Sequence, residues 1–202
     1  MDIANSDFSL LRTELIKKLT RIEEILKNVI FTFEQDRVQL LSDIDDISKR
    51  FSESVSVAST YFLNSILSEY TNHYKEISFA MHHLSSKRQG ALIVIQREDL
   101  IAPLISQGTP IFAKISTPLL ESIFLPESPL HAGAVLIQGD MIISAANVLP
   151  LTDQIFWDRS FNARELAAIG LSERSDALIL LVFDNGLTSF CLDGHLYPFS
   201  TT

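Results

Sequence analysis

The side chains able to do chemistry in this 202-residue chain are few and mostly isolated. His131, in the stretch Ser128-Pro129-Leu130-His131-Ala132-Gly133-Ala134, is a lone imidazole, as well suited to a structural hydrogen bond as to a metal ion. His82 and His83 are adjacent on a helical stretch, so they cannot share a face as zinc ligands four residues apart do. His195 follows the turn Asp193-Gly194 and reads as solvated. The single cysteine, Cys191, cannot form an internal disulfide. It lies in a strand-like run and reads as a buried, unreactive thiol rather than a nucleophile. No Gly-x-Ser-x-Gly elbow supports a serine nucleophile, and no Gly-x-x-x-x-Gly-Lys loop offers itself to a triphosphate.

The elements that must position these groups divide the chain in two. All seven glycines and all seven prolines lie at or beyond Gly90. Their absence before it argues for a helical first part. Phe8, Leu11, Leu15, Leu19, Ile22, Leu26 and Val29 step by three or four and build one apolar stripe, with Asn5, Ser6 and Asp7 as N-cap candidates ahead of it. Val38, Leu41, Ile44, Ile47, Phe51 and Val55 build a second stripe. A break is expected near Glu34-Gln35-Asp36, and a kink or stop in the Ser- and Val-rich Ser52 to Thr60. Tyr70, Tyr74, Ile77, Met81 and Leu84 form a third stripe that runs almost directly into a strand.

Beyond Gly90 the pattern turns to strands at Ala91 to Ile95, Ile111 to Ile115, Ala134 to Gln138, Met141 to Ala145, Ala177 to Phe183 and Leu187 to Leu192. Gly139-Asp140 and Asp184-Asn185-Gly186 mark hairpin turns. Short helices are expected at Thr117 to Phe124 and Asn162 to Ile169. The fold class expected is α/β, a mixed β-sheet flanked by helices, with an N-terminal α-helical extension.

Net charge is −9, with −2 over residues 1–89 and −7 over residues 90–202. A nucleic-acid partner is disfavoured, because such surfaces are basic. No apolar run approaches the ~20 residues that span a bilayer, and the N-terminus has no signal-peptide pattern. No membrane association and a cytoplasmic setting are therefore expected.

Several short segments, in order, resemble the diadenylate cyclase domain. Gly90 to Ile95, after a helix ending in Lys87-Arg88-Gln89, is similar to its first helix and strand. Ile123-Phe124 and Ser128-Pro129-Leu130-His131 are similar to the lead into its first motif, Pro-Leu-His-Asp-Gly-Ala. Ser144-Ala145-Ala146 and Leu149-Pro150-Leu151-Thr152 resemble its middle. Ala167 to Glu173, followed by Ser175-Asp176-Ala177, resembles the stretch after its second motif. The likeness covers about residues 67–200. Two helices ahead of such a domain resemble the soluble, sporulation-type cyclase of bacilli. The resemblance implies residues 1–66 as a helical regulatory or oligomerisation region and residues 67–202 as the cyclase-like domain.

The family joins two ATP molecules into cyclic di-AMP with release of two pyrophosphates, using a divalent metal (Mn, Mg or Co) held by the aspartate of the first motif. Ala132 occupies that catalytic position here, while Gly133 and Ala134 are kept. The second motif, Gly-Thr-Arg-His-Arg, reads Asn162-Ala163-Arg164-Glu165-Leu166, so Arg164 alone keeps its type. The third, Ser-Glu-Glu-Thr-Gly, is replaced by Phe183-Asp184-Asn185-Gly186, which Asn185-Gly186 also explains as a hairpin turn. The resemblance implies nucleotide contacts at Gly133, Ala134, Leu149 and Arg164, and metal contacts at His131 and Asp184. It also implies an activity absent or severely reduced. The other expectations are a weakly active cyclase, a nucleotide sensor for ATP or cyclic di-AMP, or a non-catalytic subunit forming homo-oligomers or oligomers with an intact homologue.

Overall fold

The computed structural model describes residues 3–32, 37–154 and 160–199. The chain divides into two units, 1–62 and 63–202. The first holds helix α1 (Ile3–Thr32) and most of helix α2 (Arg37–Tyr70). Ile22 and Val29 of α1 and Ser54 of α2 are buried, and Lys18 Nζ reaches Glu53 of α2 at 3.2 Å. Ion pairs four residues apart, Lys27–Glu23, Lys49–Asp45 and Arg50–Asp46, lace the solvated faces. The break expected at Glu34-Gln35-Asp36 lies outside the described residues.

The kink or stop expected in Ser52 to Thr60 does not occur: α2 runs unbroken to Tyr70. The hydroxyls of Ser52, Ser54 and Thr60 each donate to the carbonyl four residues earlier, so they do not draw the chain out of the helix. The break comes instead at residues 71–73, within what the sequence reads as one stripe, and helix α3 (Tyr74–Ser86) follows.

A seven-stranded mixed sheet forms the body of the second unit, in the order β2-β4-β3-β1-β5-β6-β7. Its strands are β1 (Ala91–Gln96), β2 (Thr109–Lys114), β3 (Ala134–Gln138), β4 (Met141–Asn147), β5 (Leu178–Val182), β6 (Thr188–Leu192) and β7 (His195–Phe199). The β1–β3 pair is parallel and the other pairs are antiparallel. The central strands are buried on both faces, so they read as continuous apolar runs. Ile93, Val135, Leu180 and Val182 point to one face, against Ile77, Met81 and Leu84 of α3 and Leu120 of helix α4 (Thr117–Ile123). Leu92, Val94, Leu136 and Leu181 point to the other, against Ala168, Ile169 and Leu171 of helix α5 (Ala163–Ser172). Each such Leu, Ile, Val or Met side chain contributes about 1.5–3 kcal/mol by leaving water. Both outer strands carry a proline, Pro110 and Pro198, which limits pairing with a further strand.

Cys191 is fully buried, with its Sγ 3.1 Å from Ser172 Oγ, and burial pushes its thiol up to about 11. Asp140, at the β3–β4 turn, fastens the α2–α3 junction. Its Oδ1 accepts from the Asn72 backbone N–H at 2.8 Å and the Thr71 hydroxyl at 3.0 Å, and its Oδ2 from the Asn72 side-chain amide at 3.0 Å. These donors, the Asn72 amide foremost, hold its carboxyl below the usual aspartate range. A depressed carboxyl stabilises the fold above its unfolded pKa and loses that contribution as pH falls through the folded one. The urea midpoint of Asp140→Ala is therefore expected to lie below wild type at pH 7, with the gap closing as pH falls below about 4.

Candidate functional site

The turn ahead of β3 closes on itself. Ser128 O accepts from His131 N at 3.2 Å and from His131 Nδ1 at 2.6 Å, and Ser128 Oγ accepts from Leu130 N at 3.2 Å. A carbonyl can only accept, so Nδ1 carries the proton and Nε2 remains as the ring's basic nitrogen. Ala132 and Gly133 are exposed, and Ala134 is buried. Gly133 has φ +111, and a Cβ there would stand 2.6 Å from Asn147 O, so the turn demands glycine.

Asn147, 1% exposed, braces this turn from β4. Its Nδ2 donates to Ala134 O at 2.8 Å, and its Oδ1 accepts from Ser144 Oγ at 2.8 Å and Gly108 N at 3.0 Å. The side chain of Leu149 is buried with the α5-facing core.

Helix α5 begins with a capping box. Asn162 Oδ1 accepts from Glu165 N at 2.9 Å, and Glu165 Oε2 accepts from Asn162 N at 2.9 Å. The N-terminus of α5, a favourable place for an anion, is thus served by the chain's own carboxylate. The sequence signature, Asn162 followed three residues later by Glu165, was there to be read.

One residue into the same helix, Arg164 Nη1 donates to Asp184 Oδ1 at 2.9 Å. Both groups lie against Gly90, where any Cβ would collide with the guanidinium and the carboxylate. β1 and β3 are parallel, so Gly90, just before β1, and Ala132, two residues before β3, enter the sheet at the same end. Neighbouring strands lie about 4.8 Å apart. The structure therefore gathers Ala132, Gly133, Arg164 and Asp184 at one end of the sheet. Close by in sequence, Gln89 Oε1 is a buried acceptor without a hydrogen-bond partner among the described residues. Sequence reasoning missed the structural parts of Gly90, Asn147 and Gln89, because each acts through neighbours distant in the chain.

The donor set does not fit a divalent ion. Among the described residues no three His, Cys, Asp or Glu side chains gather to hold one. His131 offers a single nitrogen, Ala132 offers nothing, and Asp184 is engaged by Arg164. His83 is also committed: its Nδ1 lies 2.7 Å from Glu121, which accepts from Lys87 at 2.7 Å. Those two partners, Lys87 first, hold the Glu121 carboxyl below its usual range. His195, exposed, bonds its Nδ1 to Asp193 O.

Residues 78–196 match the family model described as DisA bacterial checkpoint controller nucleotide-binding, and residues 4–70 match that of diadenylate cyclase CdaS, N-terminal. The chain is 44% identical over 177 residues to a diadenylate cyclase CdaS of Bacillus thuringiensis, covering 87% of each chain. It is 40% identical over 181 residues to the cyclic di-AMP synthase CdaS of Bacillus subtilis, covering 88% of this chain and 87% of that one. A crystal structure from Bacillus cereus, described as a hypothetical membrane spanning protein, matches 98% of this chain and 97% of its own at 40% identity and a TM-score of 0.79. Among the described residues no helix is long and apolar enough to cross a membrane. DacA from Staphylococcus aureus matches 63% of this chain and 86% of its own at 38% identity and a TM-score of 0.60.

Proposed function

The chain belongs to the diadenylate cyclase family, and we propose that this member holds a nucleotide on the family's fold without converting it at any substantial rate. The observation that carries the reading is the state of the one retained cation. Arg164 is paired with Asp184 over Gly90, and position 132, at the same end of the sheet, has no carboxylate. Joining two ATP molecules needs a 3′-hydroxyl activated and a pyrophosphate stabilised as it leaves. Ala132, Ala163, Glu165 and Leu166 supply none of the hydroxyl, imidazole, guanidinium or metal-facing groups for that work. What remains suits binding: a glycine turn braced by Asn147, an arginine at the start of α5, and His131, whose Nε2 is not used in the contact with Ser128. The side chains of Ala134 and Leu149 are buried in the core, so nucleotide contacts at these two positions would fall to the main chain.

The test is cyclic di-AMP formation by purified protein with ATP and Mn²⁺ or Co²⁺, beside an intact relative. Loss of even one preorganised transition-state contact commonly costs ~10²–10³ in rate. The chain is expected to run at least ~10²-fold below the relative. Turnover at the relative's pace overturns the reading.

A second reading concerns the helical region, for which we propose residues 1–66 as an assembly and regulatory module beside a cyclase-like domain of residues 67–202. Leu41, Ile44 and Phe51 of α2 are spaced by three and seven and remain exposed, Leu41 at 73%. Leu19, Leu26 and Ile30 of α1, spaced by seven and four, are exposed as well. Such stripes beyond the packed seam favour further helices as partners, from the same chain or an intact homologue. Co-expression with an intact cyclase and recovery of mixed oligomers supports this; a clean monomer in both preparations counts against it.

A further inference from the structure

We propose that Asp184 is an internal competitor for anions at Arg164: its carboxylate takes the place of a ligand phosphate and must be displaced before a phosphorylated ligand can engage the guanidinium. The inference rests on the reading above that this end of the sheet faces a nucleotide, and it adds a group that tunes affinity there.

Three features make the contact a built one. The hairpin that carries Asp184 is fixed: Gly186 N donates to Phe183 O at 2.8 Å, Phe183 N to Leu187 O at 2.9 Å, and Leu187 N to Asn185 Oδ1 at 2.9 Å. The Ser85 hydroxyl, at the end of α3, donates to Gly186 O and ties the turn to the helix. Gly90 leaves the space in which both charged groups meet, so the pair has a definite seat. Arg164 is set by the first turn of α5, whose capping box fixes the direction of the helix.

The pair is also displaceable. The side chains are 36% and 77% exposed and share a single hydrogen bond, an arrangement that binds weakly in water. Phosphate oxygens offer the guanidinium two parallel charge-assisted bonds, which a lone contact to Asp184 does not match. While Asp184 stays charged and close, it also repels the incoming anion. Its removal raises affinity for any ligand whose phosphate meets Arg164, and leaves affinity for an uncharged nucleoside unchanged.

The experiment is isothermal calorimetry on the full chain in EDTA, titrating ATP, inorganic pyrophosphate and adenosine. The proteins are wild type, Asp184→Asn, Arg164→Gln and the double variant. Asp184→Asn is expected to bind ATP and pyrophosphate about fivefold tighter than wild type, with adenosine unaffected. The gain is expected to vanish in the Arg164→Gln background. Equal ATP affinity in wild type and Asp184→Asn overturns the competitor role while the nucleotide-holding reading stands. A gain that persists without Arg164 reduces the effect to net charge and also overturns it. Absence of ATP binding by both proteins at millimolar ligand overturns the two readings together. Matching thermal midpoints of wild type and Asp184→Asn check that folding is intact.

Discussion

A chain carrying Ala132→Asp, Ala163→Thr, Glu165→His and Leu166→Arg together is expected to make cyclic di-AMP at least about 10²-fold faster than the parent. The scaffold that would receive these groups is already set. Gly133 holds its left-handed turn, Asn147 braces it, and Arg164 stands at the start of α5, against Gly90 and Asp184. Ala132→Asp alone is expected to recover only a small part of that rate, because residues that act as a unit are not rescued singly. The replacement of Glu165 also dismantles half of the capping box, at a cost of about 1 kcal/mol to the fold. That cost is small beside the catalytic gain sought. Product is read by chromatography of purified protein incubated with ATP and Mn²⁺. A fourfold variant no faster than the parent shows that position 132 does not face the reacting phosphates.

Asn147→Ala is expected to destabilise the protein by about 3 kcal/mol, because it strands Ala134 O, Gly108 N and the Ser144 hydroxyl in a buried place. For a chain of this length, that lowers the thermal midpoint by about 6–12 °C. The adjacent Val148 is largely exposed, and Val148→Ala is expected to shift the midpoint by about 1 °C or less. Thermal circular dichroism on the two variants separates a buried polar brace from a general sensitivity of the strand end.

The contrast between these neighbours shows what a sequence can carry. Apolar runs such as Ala91 to Ile95 and Ala177 to Phe183 are short, rich in β-branched residues or flanked by turn residues, which suits a strand buried on both faces, and they were legible. So were the Gly139-Asp140 and Asn185-Gly186 turns, because their chemistry is local. The end of α2 was not. Nothing in Tyr70 to Tyr74 breaks a helix by composition; the junction is held by Asp140, 68 residues from Asn72. Strand β7 also escaped, since Pro198 and alternating exposed residues weaken its signal and only pairing with β6 makes it a strand.

At the candidate site the resemblance located the positions but not their state. Motif comparison sets Ala132, Arg164 and Asp184 against the family pattern. That Arg164 and Asp184 meet over Gly90 depends on the sheet bringing β1, β5 and α5 to one end. Glu165, which stands where the second motif has a histidine, accepts from the Asn162 backbone N–H.

Cys191 has a practical corollary. It is the single thiol in the sequence, it is enclosed by the sheet and α5, and burial keeps it protonated at neutral pH. Maleimide dyes or spin labels therefore need no cysteine-free background. A cysteine introduced on the Asp184-Asn185-Gly186 hairpin would carry the reporter alone, and distances from it could be followed in the otherwise natural polypeptide.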